Sequence, residues 1–211
     1  MKEKTILATL FILLSFTLKA QTTDTELWTG GLFQFKLSGK FQIDFEEQMR
    51  FNQNVSKLQL GFTEVGLKYI LNKHFAFKGN YRFIAKPGKY NRNRLTADIY
   101  YKWKNKNFPL SVNYRLRFQH TIENTTEKKF TYLRNELTLK YNLSKLLDPY
   151  AAYEVFYRFN TINRISTTRL YLGLQWKWTK KFDTTTFYCL QKNIIKTGKK
   201  NIFGIMFTYK M

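Results

Sequence analysis

The sequence predicts an all-β fold, a single antiparallel transmembrane β-barrel of about 10–12 strands. Three observations carry that expectation. Apolar and polar side chains alternate with period two from Trp28 onward, the pattern of strands with one greasy and one wet face. Aromatic residues make up 18% of the chain (20 Phe, 14 Tyr and 4 Trp), against only 3 Pro and 10 Gly. The opening segment reads as an export leader, which carries the strands out of the cytoplasm.

The leader is "MKEKTILATLFILLSFTLKAQ". Lys2 and Lys4 form a basic start, Ile6 to Leu18 an apolar stretch, and Ala20 a small residue before Gln21. The apolar run is too short for a spanning helix, so residues 1–20 are expected to be a cleaved signal peptide and 21–211 the barrel domain.

The strands follow in order. After Trp28 to Leu37, "LSGK" turns into Phe41, Ile43 and Phe45, with Gln42, Asp44, Glu46 and Gln48 opposite. "NQNVSK" leads to "LQLGFTEVGLKYIL", whose apolar phase slips between Phe62 and Val65, predicting a bulge near 61–66. "NKH" enters a strand with Phe75, Phe77, Tyr81 and Phe83 opposite Lys78, Asn80 and Arg82. The link "KPGKYNRNR" precedes Leu95, Ala97, Ile99, Tyr101 and Trp103, opposite Asp98 and Lys102. "FPLSVNYRLRFQH" is the cleanest case: Leu110, Val112, Tyr114, Leu116 and Phe118 alternate with Ser111, Asn113, Arg115, Arg117 and Gln119. After "TIENTTEKK", Leu133, Leu137 and Leu139 oppose Arg134, Glu136 and Lys140. Tyr153, Val155 and Tyr157 then oppose Glu154 and Arg158, and Leu170, Leu172, Leu174 and Trp176 oppose Arg169, Gln175 and Lys177. "TTTFYCLQ" shows no assignable phase, and Phe203, Ile205, Phe207 and Tyr209 close the series.

About eleven such segments of ~9–11 residues result, the length a tilted strand needs to cross a bilayer. Eleven is odd, whereas bacterial single-chain barrels usually have an even number. The short links ("SGK", "NKH", "KNKN", "TKK") alternate with longer ones, the expected layout of short periplasmic turns and longer extracellular loops. The competing fold is a soluble periplasmic β-barrel with its greasy faces inward around a lipid.

Charge narrows the function. The formal net charge is +22, and removing the leader takes away three lysines and one glutamate, leaving +20. Such a chain seeks anionic surroundings. Outside the cytoplasm these are lipid headgroups, lipopolysaccharide phosphates or anionic solutes, and not nucleic acid. The strand phases aim Arg50, Arg82, Arg115, Arg117, Arg134, Arg158 and Arg169 into the lumen together with Glu46, Glu136 and Glu154. That is a basic lining suited to small anions, unless the same groups pair and fill the lumen of a non-conducting barrel. Lys86, Lys89, Arg92, Arg94, Lys196, Lys199 and Lys200 fall in predicted loops, where each could add ~1 kcal/mol of attraction to anionic headgroups.

Catalytic and metal chemistry find little support. The two histidines, His74 and His120, are distant in sequence. His120 with Thr121 and Glu123 lacks a recognisable serine nucleophile, and no ligand cluster or cofactor motif is present. The single Cys189 excludes an intrachain disulfide and reads as a small apolar residue.

The C-terminal "NIFGIMFTYKM" resembles the terminal signal that barrel-assembly machinery reads in outer-membrane proteins. Gly204, Phe207 and Tyr209 match its glycine, hydrophobic and aromatic positions, while Ile202 and the final Met211 depart from it. Trp28, "FEEQMRF", "GLKYIL", "GNYRF" and "FGIMFTYKM" together resemble an uncharacterised family of exported proteins, domain of unknown function 2490. That resemblance implies an outer-membrane β-barrel and supplies no activity.

Overall fold

The computed structural model describes residues 24–104, 108–159, 163–195 and 198–211. The expected leader, residues 1–20, and Lys196 lie outside the described residues.

Eleven strands of 11–14 residues close into one barrel. They are β1 (Asp24–Lys36), β2 (Phe41–Asn52), β3 (Lys57–Ile70), β4 (Phe75–Ala85), β5 (Arg92–Lys104), β6 (Leu110–Glu123), β7 (Lys129–Tyr141), β8 (Leu147–Phe159), β9 (Arg164–Lys177), β10 (Phe182–Asn193) and β11 (Gly198–Lys210). Consecutive strands pair antiparallel. A ring with an odd number of strands cannot alternate direction all the way round, so one seam must be parallel. It is β1 against β11, in register from Asp24↔Lys200 to Gln34↔Lys210. The parity difficulty is resolved by that seam.

The radial order is the inverse of a soluble core. Within β6, Arg117 and Gln119 are buried and Phe118 between them is 48% exposed. The same alternation runs round the wall: Glu64, Asn80, Asp98 and Glu154 are buried, while Leu67, Phe77, Leu95, Tyr153 and Leu172 are exposed on the outside. Closure satisfies every ladder and leaves no free edge, the condition for strands in hydrocarbon.

Near the end of the barrel formed by the β1–β2, β3–β4 and β9–β10 turns, outward aromatics meet across strands. Phe41 lies 5.0 Å from Tyr69 and Phe75 lies 5.1 Å from Tyr101. Phe108 with Tyr141 and Phe182 with Phe207 continue the series. This is the aromatic girdle of a membrane interface.

Three sequence expectations need correction. No irregularity lies at 61–66; the register shifts at Arg50/Phe51, opposite the segment around Gln59. The phase slip read there arises because Phe62 turns inward and is buried, whereas Val65 and Leu67 face out. The links are also more equal than expected, four or five residues at the girdle end and four to six at the other, because polar ends of the "long" links continue the neighbouring strands. Finally, "TTTFYCLQ" has a definite phase: Phe187 and Cys189 point inward, and Cys189 packs in a cluster with Trp28 and Ile202.

Candidate lumenal binding site

Mid-barrel, the inner wall surrounds a cavity of about 490 Å³ lined by Arg50, Arg82, Arg94, Arg115, Arg117, Arg134 and Arg169 with Glu46, Glu64, Glu136 and Glu154. Arginines and aromatic rings interleave along this wall. The Phe62 ring (β3) lies 3.5 Å from the Arg82 guanidinium and 5.4 Å from that of Arg50. The Trp28 ring (β1) is 3.7 Å from Arg50 and 5.0 Å from Arg169. The Phe156 ring (β8) is 4.3 Å from Arg134 and 4.7 Å from Arg169. Nearer the opposite mouth, Phe130 sits between Arg92 and Arg158, at 5.3 and 5.2 Å. A guanidinium over a ring gains cation–π attraction and loses rotamer freedom. Its N–H edge stays free for an acceptor.

The carboxylates follow a simple rule. Where strand register sets two of them face to face, an arginine bridges them. Glu136 opposes Glu154, and Arg115 Nη2 donates to both, at 2.6 and 3.0 Å. Glu46 opposes Glu64, and Arg82 reaches both, at 3.8 and 2.6 Å. Glu154 is completely buried and also takes Arg134 at 2.6 Å and Arg169 at 3.6 Å. Arg117 grips Asp98 with two donors, both at 2.6 Å. Such bidentate, charge-assisted contacts are the strong form of the hydrogen bond. Two lining arginines have no carboxylate partner among the described residues. Arg50 donates from Nε to Gln48 at 2.7 Å, and Arg94 donates from Nε to Thr121 at 3.1 Å.

A second basic tier stands at the aromatic-girdle end. Lys36, Lys68, Lys102, Lys140, Lys177 and Lys210 occupy inward-phase positions near the ends of the odd-numbered strands. Aspartates meet some of them: Lys177 is 2.8 Å from Asp148, and Lys210 pairs with Asp183.

The structure redistributes the residues expected in loops. Lys86 and Lys89 do lie in the β4–β5 connection, in a tight turn closed by Lys89 N–H on the Lys86 carbonyl at 3.0 Å. Gly88 there has φ +65°, after Pro87, as a type II turn requires. Burial, with Arg92 and Lys89 nearby, pushes the Lys86 amine down to about 8. Lys199 faces outward on β11, opposite Lys192. Arg92, Arg94 and Lys200 are not loop residues. Arg92 and Arg94 belong to β5 and face inward, Arg92 against Glu123, and Lys200 reaches inward from β11 to Glu26 at 2.5 Å. The polar loop reading failed because alternation continues through "RNR" and "KK", and their inward partners, Thr121, Glu123 and Glu26, come from strands distant in sequence.

His120 and its supposed partners separate. His120 contacts Thr131 Oγ1 at 2.9 Å on the outer face, whereas Thr121 and Glu123 are buried on the inner one. Gly204, matched to the terminal signal, has a local reason: the Phe187 ring occupies the space beside it, where a Cβ would collide.

A closed, inverted barrel with a polar interior and a lipid-type exterior defines the class: a transmembrane β-barrel of outer-membrane type. The family model described as protein of unknown function (DUF2490) matches residues 25–201, and the chain belongs to that family. Among solved structures it is similar to a bacterial polysaccharide outer membrane secretin (TM-score 0.56, 8% identity), covering 80% of this chain and 63% of that one. It is also similar to the KdgM porin in complex with disordered oligogalacturonate (TM-score 0.47, 17% identity), covering 76% of this chain and 81% of that one. No curated protein matches it in sequence.

Proposed function

We propose that this protein is an outer-membrane channel, narrow and selective for small anionic solutes. The observation that supports this most directly is the central cavity, where arginines outnumber carboxylates and two of them lack a carboxylate partner among the described residues. Fixed positive charge on a low-dielectric wall concentrates anions and repels cations. Cation–π contact with Trp28, Phe62 and Phe156 holds four of the seven lining guanidiniums, those of Arg50, Arg82, Arg134 and Arg169, against wall side chains. In the same reading the outward Lys199 and the loop pair Lys86 and Lys89 contact phosphates of anionic lipid or lipopolysaccharide. The last strand is the segment that assembly machinery would engage.

The density of ion pairs around Glu154 favours a second reading, a barrel whose lumen is filled and conducts nothing. Single-channel recording on the refolded protein in a planar bilayer separates the two. Discrete openings whose current falls when chloride is replaced by a bulky anion are expected of the channel. A silent bilayer containing folded, heat-modifiable protein would leave the filled barrel.

A further inference from the structure

The geometry points to a fixed binding station for a compact dianionic oxyanion, centred on Arg94 and completed by Arg50 and Arg82. The inference deepens the anion-channel reading by naming the solute class, but it needs only the lumen and not passage through it.

The argument starts from strand register. β4 and β5 set Arg82 directly opposite Arg94. Like charges placed face to face across two strands repel. Elsewhere in this lumen such repulsion is answered by opposite charge: Arg115 bridges Glu136 and Glu154, Arg82 bridges Glu46 and Glu64, and the facing Arg117 and Arg134 each hold a carboxylate of their own, Asp98 and Glu154. No bridging anion stands between Arg82 and Arg94 among the described residues. Arg50, Arg117 and Arg134 line the same cavity as Arg94, so its surroundings add to the repulsion.

Five of the seven lining arginines hold a carboxylate. The two that hold none among the described residues, Arg50 and Arg94, leave two positive charges open to one cavity. Their Nε atoms are committed, Arg50 to Gln48 and Arg94 to Thr121. Those bonds orient the guanidiniums, and the terminal nitrogens remain as donors. A planar fork of N–H groups matches the edge of an oxyanion, whereas chloride accepts from it without directional fit. Two open charges match a dianion such as sulfate, hydrogen phosphate or a phosphomonoester.

The test uses full-length protein in detergent micelles and sulfate as the probe, because sulfate keeps its double charge across the working pH range. Calorimetry and thermal unfolding are run in sulfate against chloride at equal ionic strength. Saturable sulfate binding is expected, together with a sulfate-specific rise in the unfolding temperature. In Arg94→Gln the affinity should fall by at least about tenfold, the loss of a charge-assisted hydrogen bond. In chloride alone that variant should unfold no earlier than wild type, because it relieves repulsion. An Arg94 that served only the scaffold would instead make the variant less stable in both salts. Equal effects of sulfate and chloride, or a variant that keeps the sulfate response, would overturn the station. Planar-bilayer recording on the same preparation keeps the two proposals apart. Sulfate binding without conductance sinks the channel and leaves the station; anion current without saturable binding does the reverse.

Discussion

The mid-lumen arginine belt and the lysine collar at the girdle-end mouth are both basic, yet they are built differently. In the belt the cations are held by rings, carboxylates or both: Arg169 lies against Trp28 and Phe156 while reaching Glu154. In the collar Lys177 and Lys210 have partly exposed side chains, 31% and 40% accessible, with the ammonium groups on flexible stems. Arginine, planar and weakly hydrated, suits a preorganised inner site, and lysine suits a solvated ring that attracts ions from a distance. Selectivity and fold stability should therefore reside in the belt, and capture rate in the collar.

The sharpest way to break this contrast is to remove one charge from each tier's pairing. Glu154→Gln leaves three lining arginines, Arg115, Arg134 and Arg169, without their shared buried carboxylate and should cost about 3–5 kcal/mol, read from urea unfolding of the refolded barrel. Lys177→Gln in the collar should cost no more than about 1 kcal/mol in the same assay. Equal losses would erase the distinction. Trp28→Leu removes the ring shared by Arg50 and Arg169 and loosens the cluster with Cys189 and Ile202. A loss of about 2–4 kcal/mol is expected, read from the same unfolding curves.

How much of this contrast could be read from the chain is instructive residue by residue. β6 announced both faces, because Arg115 and Arg117 alternate with Tyr114, Leu116 and Phe118 and nothing interrupts the period. Phe62 misled, since an aromatic inside a polar lumen looks like a phase error until Arg50 and Arg82 are seen beside it. Arg94 shares the parity of Asp98 and Lys102, so its inward direction was available, but "KPGKYNRNR" reads as a loop on composition. The sandwich of each ring between two arginines was not legible at all. Its members come from different strands: Phe62 meets Arg50 and Arg82 from β2 and β4, Phe130 meets Arg92 two strands away on β5, and Arg169 on β9 reaches Trp28 on β1 past β10 and β11, a contact that only barrel closure creates.

The collar offers a subtler test. The triple change Lys68→Gln, Lys102→Gln and Lys177→Gln should lower conductance about threefold in 0.1 M salt and barely alter it in 1 M, where screening over ~3 Å removes long-range attraction. Bilayer recordings at the two concentrations check it, and a deficit persisting at high salt would place these lysines in the selective path.

The smallest effect concerns Lys86, outside both tiers. The fold holds its amine down to about 8, so protonation is disfavoured relative to an unfolded chain. Its contribution to stability therefore rises as pH climbs from about 8 toward the ordinary lysine value. Its attraction for anionic headgroups falls over the same rise through 8. Retention of anionic lipid, followed by native mass spectrometry from pH 7 to 9, should decline in wild type and stay flat in Lys86→Gln.

The reversal potential of the reconstituted barrel in a tenfold potassium chloride gradient tests the central claim most directly. A sign set by chloride, moving toward zero in Arg50→Gln with Arg94→Gln, is the predicted result. A sign set by potassium in the wild-type protein would contradict an anion pathway through the arginine belt.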